Sequence, residues 1–282
     1  MKNLTIILII AGFILGLNMP AQSQILDNPP NDGLFPDAGM IDKEPVPYPP
    51  IRKSDVMWSK RIWRTIDFRQ KMNQSFYYPI EAHNNWRSFM QVIVDALKEG
   101  SISAYDISAT DEFLVPLTYQ EVITRQTVSE NKVLTRPYPP YEEYDTVIVS
   151  EFNPSKVMRI RVKEDWFFDK QRSQMMVRII GLCPILMKDR DGEEIPEPLF
   201  WVNYSEARPV LAKAQIYNRS NNAERRTYDE VFIKRSFNSY IYKEENVYDR
   251  RITQYATGID ALLESRRVKN QLFDFEHDLW EF

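Results

Sequence analysis

The chain has one cysteine, Cys183, and two histidines, His83 and His277, among 282 residues. One cysteine forms no internal disulfide, so the fold must rest on its apolar core. Two distant histidines, with no His-x-x-x-His pair and no cysteine cluster, exclude the recognisable zinc patterns. Eight glycines, four of them before residue 40, leave no Gly-rich phosphate cradle and no Gly-x-Ser-x-Gly nucleophile elbow. Cys183 sits in Ile-Ile-Gly-Leu-Cys-Pro-Ile-Leu, a setting that suits a buried structural thiol rather than a nucleophile. Asp189-Arg190-Asp191-Gly192 resembles part of a calcium loop but lacks the remaining ligands and the closing glutamate, so it reads as a turn. Carboxylates are plentiful, yet no spacing singles out a catalytic pair. The residues point to no catalytic site, no metal site and no cofactor.

A basic excess is missing too. Lys and Arg number 36 against 40 Asp and Glu, a balance that argues against generic binding to nucleic acid or an anionic membrane surface. Long apolar runs are confined to the start, where Met1-Lys2, the stretch Leu4 to Leu17 and the small-x-small site Ala21-Gln22-Ser23 read as a signal peptide over 1–23. That run is shorter than the roughly 20 residues a bilayer crossing requires and it ends at Pro20, so no direct membrane insertion is expected. Cleavage before Gln24 removes one charge, Lys2, and moves the net charge from −4 to −5. A lipoprotein would carry a cysteine just after the cleavage site. Attachment to a membrane would therefore come through a partner.

Residues 28 to 50 hold seven of the eighteen prolines. They define an extended, polyproline-like segment over 24–53, either a spacer or an arm lying on a neighbouring subunit. Residues 54–282 are long enough to bury a sizeable core, and their periodicity predicts an α+β fold with a mainly antiparallel sheet and several packed helices.

Apolar spacing at Val56, Ile62, Trp63 and Ile66, with Ser54 as cap and Tyr77-Tyr78-Pro79 as stop, predicts a helix from about Asp55 to Met72, with an Asp67–Lys71 pair. A second helix is expected from an Asn84-Asn85 cap to Gly100, and capping boxes at Thr118 and Thr227 open shorter ones. In Val157 to Lys163, apolar residues alternate with basic ones, the pattern of a strand with one buried and one wet face. Tyr144 to Ser150, Gln174 to Pro184 and Pro198 to Tyr204 add strands, and helical character returns at Ser205. A C-terminal helix from about Thr257 to Asn270 is expected to turn Ile259, Leu262 and Leu263 inward. Beyond it, the aromatics of Phe273 to Phe282 are core staples or a docking peptide. The two similar capping boxes allow an internal duplication, with halves about 54–143 and 144–282.

Trp58, on a different side of the expected first helix from Trp63, joins Arg61, Arg64, Tyr77 and Tyr78 as candidates for a protein interface, where such residues are enriched. The block Trp58 to Pro79 resembles the opening of the GldN/PorN family. So do Ala96 to Gly100 leading into Ala104-Tyr105-Asp106 and Asp111-Glu112-Phe113, and Val162 to Asp169. The resemblance implies a non-enzymatic adaptor of the type IX secretion and gliding apparatus in the periplasm. It further implies self-association in a ring with a GldK/PorK-like outer-membrane lipoprotein, and contact with a GldM/PorM-like motor. The competing class is an exported cell-envelope enzyme or a peptidoglycan-binding module, which would need a cleft with paired carboxylates of shifted pKa.

Overall fold

The structure is a computed structural model describing residues 43–279, except 84–85, 109–110, 127, 136–137, 139–142, 151, 191–192, 220 and 222–223. The expected signal peptide, the arm as far as residue 42, the Asn84-Asn85 cap and residues 280–282 lie outside the described residues.

The expected first helix is a strand. The chain makes one 3-10 turn at Lys53–Asp55 and then runs extended as β1, Val56–Asp67. Trp58, Lys60, Ile62, Arg64 and Ile66 fall on one side of it, and Arg61, Trp63, Thr65 and Asp67 on the other. Over residues 62–67 both sides are covered, so the wet-and-dry alternation that marks a one-sided strand is confined to residues 56–59 and the apolar spacing imitates a helix. Val, Trp, Ile and Thr are the residues that fit a pleated surface. Asp67 ends up beside Arg69 and Arg159, each at 2.9 Å, rather than Lys71.

The remaining strands are β2 (Ala104–Tyr105), β3 (Pro116–Leu117), β4 (Val128–Thr135), β5 (Glu143–Ser150), β6 (Val157–Asp169), β7 (Gln174–Arg190), β8 (Glu193–Pro198), β9 (Trp201–Asn203) and β10 (Tyr240–Glu244). Eight of the ten form one sheet in the order β10-β1-β6-β7-β9-β2-β3, with β8 paired to β7, while β4 and β5 form a separate two-stranded sheet. All these strand pairings are antiparallel. Among the described residues six helices complete the α+β fold: α1 (Gln74–Tyr77), α2 (Phe89–Glu99), α3 (Tyr119–Gln126), α4 (Tyr204–Lys213), α5 (Tyr228–Ile233) and α6 (Ile259–Asp278).

Local chemistry sets the helix ends. Ser88 caps α2: its hydroxyl accepts the Gln91 N–H at 3.3 Å and its own N–H donates to the Gln91 side chain at 2.9 Å. Gly100 closes that helix at φ +73°, a left-handed conformation that glycine adopts without steric cost. Thr118 and Glu121 form the expected reciprocal box at α3. Thr227 caps α5 through the Glu230 N–H, but the Glu230 carboxylate turns away to meet Lys43.

Burial divides into three clusters. The largest includes Ile66, Phe89, Ile93, Tyr204, Tyr228 and Phe232, and packs α1, α2, α4 and α5 on one face of the sheet. At its centre Phe76 lies 5.4 to 5.9 Å from the rings of Phe232, Phe89 and Tyr228. A smaller cluster joins Ile62, Ile241 and Ile252 to Val268 and Leu272 of α6. The third, on the other face of β1, contains Trp63, Cys183 and Trp201, and burial pushes the Cys183 thiol up to about 12.

Residues 43–53 lie on the domain surface. Tyr48 is held between the guanidinium groups of Arg178 and Arg208, at 5.1 and 4.2 Å from its ring centre. The same arginines donate to the carbonyls of Pro49, at 2.7 Å, and Val46, at 2.5 Å. Asp229 anchors Arg208 from behind at 3.0 Å.

Helix α6 corrects another expectation. Ile259, Leu262 and Leu263 are 75%, 58% and 57% exposed. Val268 and Leu272 meet Ile62 and Ile241, and the Ser265 hydroxyl accepts the Ile241 N–H at 2.8 Å, which fixes the rotation of the helix and turns the other apolar stripe outward. The helix also runs on through Asp278, and of the tail aromatics Phe275 packs on Trp58 while Phe273 stays 66% exposed.

Candidate interaction surfaces

The five residues proposed as interface candidates from sequence do not form one surface. Trp58 is half-buried and packs against Phe275 of α6, with centroids 4.7 Å apart. Arg61 forms a two-pronged pair with Asp165, Nε to Oδ1 at 2.6 Å and Nη2 to Oδ2 at 2.9 Å. That hydrogen bond is the main reason its guanidinium holds its proton more tightly than usual. Tyr77 is half-buried against the main core, and its ring meets that of Tyr78 edge-on at 5.0 Å. Tyr78 is 45% exposed and lines a cleft of about 430 Å³ with Met72, Lys71 and Arg226.

Arg64 offers no surface to a partner. It is 4% exposed, and its Nε donates to Glu164 Oε2 at 3.0 Å. Burial lowers its pKa despite that carboxylate. Arg235 closes the other side of Glu164 with two bonds of 3.0 and 3.1 Å, and the Trp166 indole donates a fourth at 3.0 Å. Both guanidinium groups lie 5.3 Å from the Trp166 ring centre. The fully buried Glu164 is thus met by two cations and four hydrogen bonds, the condition under which a buried charge is tolerated.

The opposite face of β1 and β6 differs. The expected wet face of β6 is covered at Lys163, which is 2% exposed, donates to the Asp111 carbonyl at 2.7 Å and pairs with its carboxylate at 3.3 Å. Asp111 also accepts the Trp63 indole N–H at 2.6 Å. Burial lowers the Lys163 pKa. Beside this knot opens a cleft of about 640 Å³, whose lining includes Arg161, Tyr242, Lys243, Glu245, Asp249 and Arg251. Lys243 is paired with Asp249 at 2.6 Å and lies 4.3 Å from the Trp63 ring centre.

A third surface is apolar. The outer side of α6 presents Ile259, Leu262, Leu263 and Phe273, the last 66% exposed, with Tyr255 just before the helix at 42%. Among the residues whose side chains are described, no other element exposes four large apolar side chains. Such a cluster is the usual mark of a contact with another macromolecule.

A family model for the gliding motility associated protein GldN matches residues 51–281. The chain belongs to the GldN family. The match to GldN runs from the docked end of the arm through α6, so all three surfaces lie within it. GldN membership makes the protein a component of the gliding motility and type IX secretion machinery. Comparison with curated proteins gives no match. Among the described residues no helix is long and apolar enough to cross a membrane, and no group of three or more His, Cys, Asp or Glu could hold a metal ion.

Sequence reasoning missed Arg235, Arg161, Arg251 and the outer stripe of α6. The stripe had a signal: Ile259, Leu262, Leu263 and Phe273 share one side at helical spacing, while Val268, Leu272 and Phe275 share another. A helix with two apolar stripes packs with one and leaves the other.

Proposed function

We propose that this GldN-family protein is a non-enzymatic structural subunit of the type IX secretion and gliding machinery. It is exported by the signal peptide of residues 1–23 and works in the periplasm. There it self-associates in a ring with a GldK/PorK-like outer-membrane lipoprotein, which holds it at the membrane, and it meets a GldM/PorM-like motor protein.

The outer stripe of α6 carries this reading. A component of a multiprotein machine needs contacts whose desolvation supplies binding energy, and apolar area removed from water is worth about 25 cal/mol per Å². We assign the stripe to the lipoprotein, the membrane-held partner that the family resemblance implies. Tyr78 and Met72 form a separate exposed apolar pair suited to a lesser contact. In the large cleft Asp111 is engaged by Lys163 and Trp63, and Asp249 by Lys243, which favours binding over acid–base chemistry.

The test is co-purification of the mature protein with the lipoprotein from detergent-solubilised envelopes. The proposal expects a stable complex at near-equal amounts. A protein that elutes as a free monomer and gives no pull-down of the lipoprotein overturns it.

A further inference from the structure

We propose that the cleft on the Trp63 face is a binding site for a single carboxylate carried by a partner polypeptide, held between Arg161 and Arg251. The inference goes beyond the assignment of ring partners and does not depend on which protein supplies the peptide.

Pairing within the cleft leaves these two cations over. Lys163 is engaged by Asp111, Lys243 by Asp249 and Arg61 by Asp165. Arg161 and Arg251 have no carboxylate partner and no hydrogen-bond acceptor for their guanidinium groups among the described residues. Arg161 stacks over the Tyr242 ring at 4.9 Å, which fixes the plane of the guanidinium without using its five N–H donors. Arg251 is exposed and lines the same cleft as Arg161 and Tyr242. A planar, pre-oriented fork beside a second guanidinium matches a carboxylate.

The rest of the lining selects the ligand. Glu245 and Asp249 lie in the same cleft and oppose a multiply charged anion such as a phosphate cluster or nucleic acid. Glu245 already accepts the Arg61 backbone N–H at 3.3 Å and Asp249 pairs with Lys243, and the lone pairs left over on both suit the N–H groups of a peptide backbone flanking the bound carboxylate. A cleft of about 640 Å³ is far larger than a single ion and falls in the range that holds a few residues.

The test titrates 15N-labelled mature protein with N-acetyl-Gly-Glu-Gly-amide, its Gln counterpart and inorganic phosphate, and reads the arginine Nε–Hε resonances by NMR. Resonances are assigned by R161K and R251Q. The glutamate peptide should shift both resonances saturably, the Gln peptide should not, and R251Q should weaken the binding at least tenfold while leaving thermal unfolding unchanged. R161K, which keeps the charge but loses the fork, should also weaken it. The proposal is overturned by no saturable shift, by equal shifts from the Gln peptide, by phosphate outcompeting the glutamate peptide at equal concentration, or by unchanged affinity in R251Q.

Discussion

On one face of the β1–β6 pair, Arg64 and Arg235 close around Glu164 and leave none of that carboxylate to solvent. On the other face, Arg161 and Arg251 meet a tyrosine ring and an open cleft. The four residues are the same type and share neighbouring strands or loops, yet the first pair serves folding and the second is available for binding. What separates them is the position of one carboxylate. Cations placed by register next to a buried acid become part of the core, whereas cations that no carboxylate among the described residues pairs remain open to a ligand.

Removing the central acid should have the largest effect. Glu164→Ala leaves two guanidinium groups without their carboxylate, one of them deeply buried, and should cost about 3–5 kcal/mol, read by urea denaturation. A cost below about 1 kcal/mol would show that water reaches the site and that the two faces are not so different.

Alkali should act on both faces together. Tyr204 and Tyr228 in the main core and Tyr242 above the cleft all have pKa values raised, first by burial. A raised folded pKa contributes stability that is fully present below the ordinary tyrosine value near 10 and is lost as pH rises beyond it. Thermal midpoints should fall above about pH 10, with tyrosinate absorbance from these residues appearing together with unfolding. Tyrosinate from Tyr242 appearing well before unfolding would show the cleft to be wetter than its geometry.

A smaller change is expected at Trp58, which couples β1 to α6. Its contact with Phe275 is worth about 0.5–1.5 kcal/mol beyond the area it buries. Trp58→Ala should speed hydrogen exchange in α6 more than in α2, and equal acceleration in both would place Trp58 in the main core instead. Arg251→Gln should change stability least, within about 0.5 kcal/mol, because the side chain is exposed and forms no pair.

Much of the architecture was legible in the chain. The α+β class followed from alternation in β6 and from the apolar spacing and Gly100 of α2, and the capping box at Thr118 sits where its spacing placed it. β1 was misread because both faces of its second half are covered: Ile62 meets α6, Trp63 meets Cys183 and Trp201, and the period of two is confined to residues 56–59. The Arg64–Glu164–Arg235 cluster was hidden for a different reason. Its members come from β1, β6 and the turn after α5, and only the antiparallel register of β1 on β6 brings the first two together. The direction of α6 could not be chosen from a helix with two apolar stripes, since tertiary packing decides which stripe is covered.

The outer stripe of α6 remains the part of the account that bears most directly on function. The decisive measurement is the amount of lipoprotein that co-purifies with the L262S/L263S variant from intact envelopes, alongside its thermal midpoint. The account predicts an unchanged midpoint and loss of most of the co-purifying lipoprotein. Full recovery of the lipoprotein by a variant that folds normally would contradict it.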